Sequence, residues 1–327
     1  MLDLSVIILT YNEELHIARC LDNVSQIAKE IFIIDSYSTD RTLDIAAQYP
    51  KAKVLQNKWV NYANQFNWAL DNAPVKTKWV LRLDADEYLT DELKKELEAK
   101  LPNLDEDITG IVFPLRRVFL GRTIRKGMNQ VRLLRLFKYG KAKSETRLMD
   151  EHIELLEGRA VDFDNEFADD NLNNLSWWTQ KHVGYAIREA VDLLDMEYDL
   201  TGAAVKDGEI VISEQAKAKR AAKHKYSKQP LFWRSFAYFI YRYFFKFGFI
   251  EGKEGFLWHF LQGWWYRTLV DAKVYEIKKK CGSNRESIRN LLCKEYGIKL
   301  AQTENLTGGA KCNSVIMLRK GGLYEAA

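Results

Sequence analysis

Ser5-Val6-Ile7-Ile8-Leu9-Thr10-Tyr11-Asn12-Glu13 is a β-branched apolar run that turns polar abruptly at its end. Such a run reads as a parallel strand covered on both faces. Asn12 offers a helix N-cap with Glu13 and Glu14 in the first turn, and Leu15, Ala18, Leu21 and Val24 follow at helical spacing. The pattern repeats outward. Ile31 to Ile34 reads as a second buried strand ending at Asp35, and Thr39 or Asp40 can cap a helix carrying Leu43, Ile45 and Ala46. Val54-Leu55 is a brief third strand, Tyr62 to Asp71 a helix that stops before Pro74, and Trp79 to Leu83 a fourth strand. This alternation over residues 4 to 100 predicts an α/β fold with a parallel, doubly wound sheet. In such sheets ligands bind beyond the carboxyl ends of the strands.

The polar residues at those ends are Thr10 to Glu13, then Asp35-Ser36, then Asp84-Ala85-Asp86. In an extended chain residues two apart share a side, so Asp84 and Asp86 are expected to point together with Ala85 pointing away. Paired carboxylates repel unless a cation or strong donors lie between them, and hard oxygen ligands suit Mg²⁺ or Mn²⁺. A solvated turn is the plain reading of Asp84-Ala85-Asp86 alone. Three strand ends with carboxylates on one edge favour a site.

Composition sets limits on the rest. The chain has 327 residues, 47% hydrophobic and 29% charged, enough for one large domain or two modest ones. A net charge of +4 gives no case for nucleic acid. Cys20, Cys281, Cys293 and Cys312 are scattered, which argues against zinc and disulfide frameworks and fits a reducing compartment. Met1-Leu2-Asp3 leads into a strand without a basic n-region, so no signal peptide is expected. No apolar run reaches the roughly 20 uncharged residues of a membrane span.

After Pro102 the pattern changes. Gly110 to Leu120 and Val131 to Phe137 read as strands carrying Arg116, Arg117, Arg132 and Arg135. Residues 144 to 174 read as acidic and irregular, and Ser176 to Tyr198 as a long helix. Lys217, Lys219, Arg220, Lys223, Lys225 and Lys228 form a basic run, followed by an aromatic helical region to about Lys280. The final thirty or so residues are expected to fray.

The segments Ser5 to Glu13, Ile33 to Thr42 and Leu83 to Glu87, in this order and spacing, resemble family 2 glycosyltransferases of the GT-A fold. Gln65-x-Asn67-Trp68-Ala69-Leu70, Arg132 to Phe137 and Gly248 to Gly255 are similar to a bacterial branch acting on lipopolysaccharide core or lipid-linked glycans. The resemblance implies a GT-A domain, read as residues 1–213, and the composition beyond it a basic and aromatic helical membrane-associating region at 214–298 and a tail at 299–327. It implies that Thr10, Tyr11 and Glu13 line the base and ribose of a nucleotide sugar, and that Asp35 accepts from the base. Asp84 would lie near the ribose or a metal-bound water, with Ala85 between the carboxylates. Asp86 would bind Mg²⁺ or Mn²⁺ directly. Gln65 and Asn67 fall where donor contacts lie. Many relatives carry a basic residue there, so the neutral Gln65 leaves open which side chain screens the diphosphate.

Sugar transfer needs the leaving diphosphate neutralised, a general base at the acceptor hydroxyl and both sugars held in line. The base is expected in Met149-Asp150-Glu151-His152, with Glu151 first and Asp150 second, which would give inversion. His152 is a candidate further metal ligand or an orienting group. The arginines suit a diphosphate or an anionic acceptor. Arg132 and Arg135 are three apart, so one of them is expected to be a surface charge; Arg135 matches the branch pattern better. The lysine cluster beside Trp- and Phe-rich helices suits an anionic membrane surface, the alternative being an aromatic core or a homodimer interface. No Gln-x-x-Arg-Trp segment of processive synthases occurs, so single-sugar addition from a UDP- or GDP-sugar is expected, at the cytoplasmic face of a bacterial inner membrane, onto a lipid-linked or lipopolysaccharide acceptor. A nucleotidyltransferase is the rival enzyme, disfavoured because Thr10 to Glu14 replaces a glycine-rich basic loop. A non-catalytic membrane-surface adaptor is the other alternative, disfavoured by the intact carboxylate pair.

Overall fold

Strand β1, Leu4–Thr10, is buried along its whole length and lies between β2, Glu30–Asp35, and β4, Trp79–Asp84, both parallel to it. A computed structural model describes residues 1–145, 152–201, 221, 225–300 and 317–318. Alternation of side chains along β1 splits the core in two. Leu4, Val6 and Ile8 face one cluster with Ile17 and Leu21 of helix α1, Ile17–Val24, and Leu93 and Leu97 of α4, Asp91–Lys100. Ile7 and Leu9 face the other, with Phe66 and Ala69 of α3, Tyr62–Asn72. Helices therefore cover both faces of the sheet.

The sheet order is β3-β2-β1-β4-β8-β6-β12-β5, where β3 is Ala52–Gln56, β5 Glu87–Leu89, β6 Ile108–Phe119, β8 Arg132–Lys138 and β12 Phe167–Asp170. Strand β8 is antiparallel to both β4 and β6, so β6 again runs with β1. The carboxyl ends of β1, β2, β4, β6 and β12 consequently share one edge. Residues 144 to 174, expected to be irregular, contain three short strands: β10, Ile153–Leu155, paired with β9, Ala142–Ser144; β11, Arg159–Asp162, along β6; and β12. Each has only three or four residues, too few for alternation to be visible in sequence.

Asn12 does not cap α1. Its backbone is left-handed at φ 55°, its side chain accepts from Thr39 N at 2.8 Å, and the helix begins at Ile17. Asn tolerates that conformation, and the contact ties the loop after β1 to the loop after β2. Asp40 does serve the next helix, α2, Thr42–Ala46, accepting from Thr42 N at 3.0 Å.

Helix α5, Leu175–Tyr198, is capped by Asn174, whose side chain accepts from Trp177 N. Its Ala186, Ala190 and Leu194 pack with Val270, Val274 and Ile277 of the helix Tyr266–Cys281 and with Ile288 and Leu292 of the helix Arg285–Tyr296. This second core is mainly helical, with Leu200, Ile298 and Leu300 joining from outside the helices. Phe119, Ile124 and Trp258 form the seam between it and the sheet. Two segments, Tyr241–Phe245 and His259–Trp265, are π-helical. Among the described residues no helix is long and apolar enough to cross a membrane.

Candidate active site

The pairing register sets the site. Thr10 lies opposite Asp35, and Leu9 opposite Asp84. Asp35 is fully buried: Oδ1 accepts from Thr10 Oγ1 at 3.3 Å and Ser38 Oγ at 2.5 Å, and Oδ2 from Ser38 N at 3.0 Å and Gln56 Nε2 at 3.1 Å. Its lone pairs thus organise the loop after β2. Gln65 is also fully buried, accepting from Asn57 Nδ2 at 2.9 Å and donating to Ser36 Oγ at 3.1 Å. Asn67 exchanges two 2.8 Å hydrogen bonds with the backbone of Ser144, fastening β9 to α3. Gln65 and Asn67 are therefore engaged in bracing loops that border the edge.

Strand β4 ends at Asp84, and residues 85 and 86 form a turn before β5, so strand alternation stops short of Asp86. Ala85 is buried in the core beneath, and Asp84 and Asp86 are half-buried above it. Asp84 Oδ1 is buried without a hydrogen-bond partner, with Arg82 Nη2 3.9 Å away. An orphan buried carboxylate oxygen has a desolvation cost that a bound cation would offset. Asp86 Oδ2 accepts from Asn171 Nδ2 at 2.9 Å, and its carbonyl accepts from Asp170 N at 3.1 Å and Arg19 Nη2 at 3.2 Å. The turn is thereby pinned to the end of β12.

Arg135 is buried on β8 and donates to Glu87 Oε1 at 2.5 Å, with Asp84 Oδ2 at 3.8 Å. Arg132, three residues earlier, lies at the surface and donates to Asp162 at 2.7 Å. Burial holds the Glu87 carboxyl well above the usual carboxylate range, opposed by Arg135 and reinforced by Asp84.

Two groups at this edge carried no motif. Asp169 on β12 lies opposite Glu87 on β5 and beside Arg117 on β6, whose Nη2 is 3.9 Å away. Burial first, and then Asp86, push its carboxyl up to about 6. Lys181 on α5 lies 4.5 Å from the Trp177 ring centre and 5.9 Å from that of Tyr185. Burial opposes its charge, but Tyr185, Asp86 and Glu13 outweigh it and hold the ammonium above its ordinary range. The spacing Trp177, Lys181, Tyr185 puts all three on one helix face, a signal available in the sequence. Asp169 offered none, because only the return of β12 brings it there.

Glu13 accepts from His16 Nδ1 at 2.6 Å while His16 Nε2 accepts from Leu172 N at 2.9 Å, which fixes the imidazole tautomer. Burial raises the Glu13 carboxyl, with Asp86 adding to the rise and the His16 hydrogen bond opposing it. Thr10 is buried and Tyr11 half-buried at the same strand end. His152 N donates to Glu145 Oε1 at 3.0 Å and its carbonyl accepts from Glu145 N at 2.9 Å, and among the described residues no three His, Cys, Asp or Glu side chains converge as a complete ligand set. Asp150 and Glu151 lie outside the described residues. Mg²⁺ and Mn²⁺ are commonly held by one or two carboxylates together with substrate phosphates and water, and the orphan oxygen of Asp84 beside Asp86 fits that mode.

The family model for glycosyl transferase family 2 matches residues 5–154, which holds β1, β2, β4 and the Asp84–Asp86 turn. Those residues are similar to a family 2 glycosyltransferase domain. An uncharacterized glycosyltransferase of Rickettsia typhi is 28% identical over 296 residues, covering 86% of this chain and 89% of the relative. The lipopolysaccharide core biosynthesis glycosyltransferase LpsC of Rhizobium meliloti is 31% identical over 147 residues, 43% of this chain and 53% of LpsC. Among solved structures, S. aureus TarS residues 1–349 in complex with UDP-GlcNAc is 16% identical, with a TM-score of 0.40 over 98% of each chain. The match to the Rickettsia relative covers more of this chain than residues 5–154 alone.

Proposed function

We propose that this family 2 glycosyltransferase transfers one sugar, with inversion, from a UDP- or GDP-sugar to a lipid-linked or lipopolysaccharide acceptor at the cytoplasmic face of the membrane. The observation that carries the reading is the carboxylate edge: Asp84 with its orphan oxygen, Asp86 on a pinned turn, and Lys181 facing Asp86 from α5. Asp86 and Asp84 would hold Mg²⁺ or Mn²⁺, which when bound neutralises charge on the leaving diphosphate. Lys181 adds a protein cation at the same place, the role that the neutral Gln65 cannot fill. The acceptor oxygen bonds to the anomeric carbon as the bond to the diphosphate breaks, and the hydroxyl proton passes to a carboxylate. Glu151 is the first candidate for that base and Asp150 the second. Asp169, with its carboxyl near 6, is the candidate among the described residues.

The lipid-linked or lipopolysaccharide acceptor rests on the resemblance of the sequence and on the partial match to LpsC. The membrane surface rests on exposed aromatics of the helical layer: Trp233 is 70% exposed, Phe245 71% and Phe247 59%, with Lys225 and Lys228 exposed nearby. Calorimetric titration with UDP and GDP in Mn²⁺, on the wild type and Asp86→Asn, tests the donor site. Binding that the variant lacks is expected; equal affinity in both proteins defeats the ligand role. Sugar transfer by Glu151→Gln and Asp169→Asn, each with donor binding retained, then assigns the base.

A further inference from the structure

Beyond the carboxylate edge, β6 extends past its partner β8 and folds back on β7, Arg122–Ile124. Between this hairpin and the following loop lies a cavity of about 220 Å³ lined by Arg116, Arg117, Arg125, Asn129, Gln130 and Glu166, among others. It is smaller than the roughly 300–1,000 Å³ of pockets for whole drug-sized ligands, and suits one sugar-sized or phosphate-sized group.

Its charge is unbalanced. Glu166 accepts from Arg116 Nε at 2.8 Å and from Arg125 at 3.0 and 3.2 Å, and these two arginines outweigh burial to hold its carboxyl below the usual range. Arg117 meets Asp169 at 3.9 Å, stacks over the Trp258 ring at 5.3 Å, and leaves its Nε buried without a hydrogen-bond partner. Three guanidiniums thus face two carboxylates, one of which belongs to the catalytic edge. Arg125 is more than half exposed while paired with Glu166.

The far wall is held firmly. Glu251 accepts from Arg125 N at 2.9 Å and Lys126 N at 2.6 Å, Gly127 N donates to the Lys246 carbonyl at 2.9 Å, and Gly127 O accepts from Arg242 Nε at 3.2 Å. Trp258 Nε1 donates to Met128 Sδ at 3.2 Å. An ordinary solvated basic patch needs no such clamp, whereas a pre-shaped binding wall does.

We propose that this cavity is the acceptor's anchoring subsite and takes a phosphoryl group carried on the acceptor saccharide. The inference rests on the glycosyltransferase reading, since Arg117 and Asp169 join the cavity to the carboxylate edge. Guanidinium forks match phosphate oxygens, and β6 puts the cavity on the side of β4 away from Thr10 and Asp35, where the nucleotide is proposed to lie.

The test is calorimetric titration of the full chain, in EDTA so that no metal bridges, with glucose 6-phosphate and with glucose. The phosphorylated sugar is expected to bind and glucose not to. Arg125→Gln and Asn129→Asp, which alter the lining without touching the core, are each expected to weaken binding about tenfold. Equal affinity for both sugars, or no loss in either variant, overturns the proposal. Co-sedimentation with phosphatidylglycerol vesicles separates a lipid headgroup from a saccharide phosphate. Vesicle binding unchanged in both variants supports the saccharide; vesicle binding lost in them, with no response to glucose 6-phosphate, overturns it. UDP titrated with Mn²⁺ into the wild type keeps the two readings apart. Phosphosugar binding without UDP binding removes only the donor site, and UDP binding without phosphosugar binding removes only the subsite.

Discussion

Arg135 and Glu87 form the ion pair beneath the carboxylate edge, and both are almost fully buried. Removing one partner of such a pair strands the other charge, which costs about 3–5 kcal/mol in comparable interiors, while replacing both with apolar residues costs far less. Arg135→Leu should therefore lower unfolding free energy by about 3 kcal/mol in urea, and the Arg135→Leu/Glu87→Leu double variant should recover much of that loss. Additive losses in the double variant would show that the pair is not the unit. The residues at the ends of β1, β2 and β4 were legible from sequence because strand, turn and carboxylate are adjacent in the chain. Asp169 was not, since long-range pairing of β12 delivers it; Lys181 showed only the helix face it shares with Trp177 and Tyr185, and packing of α5 supplies its place at the edge. Gln65 and Asn67 matched a pattern, yet their polar groups are engaged in bracing neighbouring loops, a commitment that no local spacing reveals.

At the level of elements, the loop after β7 depends on its fit against His259. Gly127 has φ +77°, and a Cβ placed there would meet His259 Cε1 at 2.1 Å. Gly127→Ala combines a left-handed backbone with that clash and should cost at least about 2 kcal/mol, read as a lower urea midpoint. His259 itself is fully buried, both ring nitrogens lack partners, and burial followed by Arg242 pushes it down to about 4. The unfolded chain takes up a proton near 6.5 and the folded one only near 4, so stability present above pH 6.5 is lost as pH falls toward 4. The loss is on the order of 3 kcal/mol, and His259→Gln should flatten that part of the melting-temperature profile. An unchanged profile would assign the acid sensitivity elsewhere. Three of the four parallel strands were legible through apolar runs of ordinary length, and β3 only through the pair Val54-Leu55. Helix α1 was placed too early because Asn12, a good cap by type, is drawn into a left-handed turn by Thr39.

At the scale of the whole molecule, an α/β sheet carries the carboxylates and a helical layer carries the aromatics. Trp233, Phe245 and Phe247 project from that layer rather than filling it. Changing all three to Ser should reduce co-sedimentation with anionic vesicles at least fivefold and leave the melting temperature within about 2 °C, because exposed side chains contribute little to folding. A fall in self-association with vesicle binding intact would assign the face to a second copy of the chain. Composition located this region as basic and aromatic. It could not say which rings point outward, since the π-helical segments break the period from which a helix face is read.

The grip of Arg242 on Gly127 crosses 115 residues of chain. At a ribosomal pace of about 5–20 residues per second, the hairpin loop is made roughly 6–23 s before the side chain that secures it. The sheet with its acidic rim can assemble early in synthesis, while the neighbouring basic hollow takes shape only near the end. A nascent or prematurely terminated chain would then carry the proposed donor site without the proposed acceptor subsite.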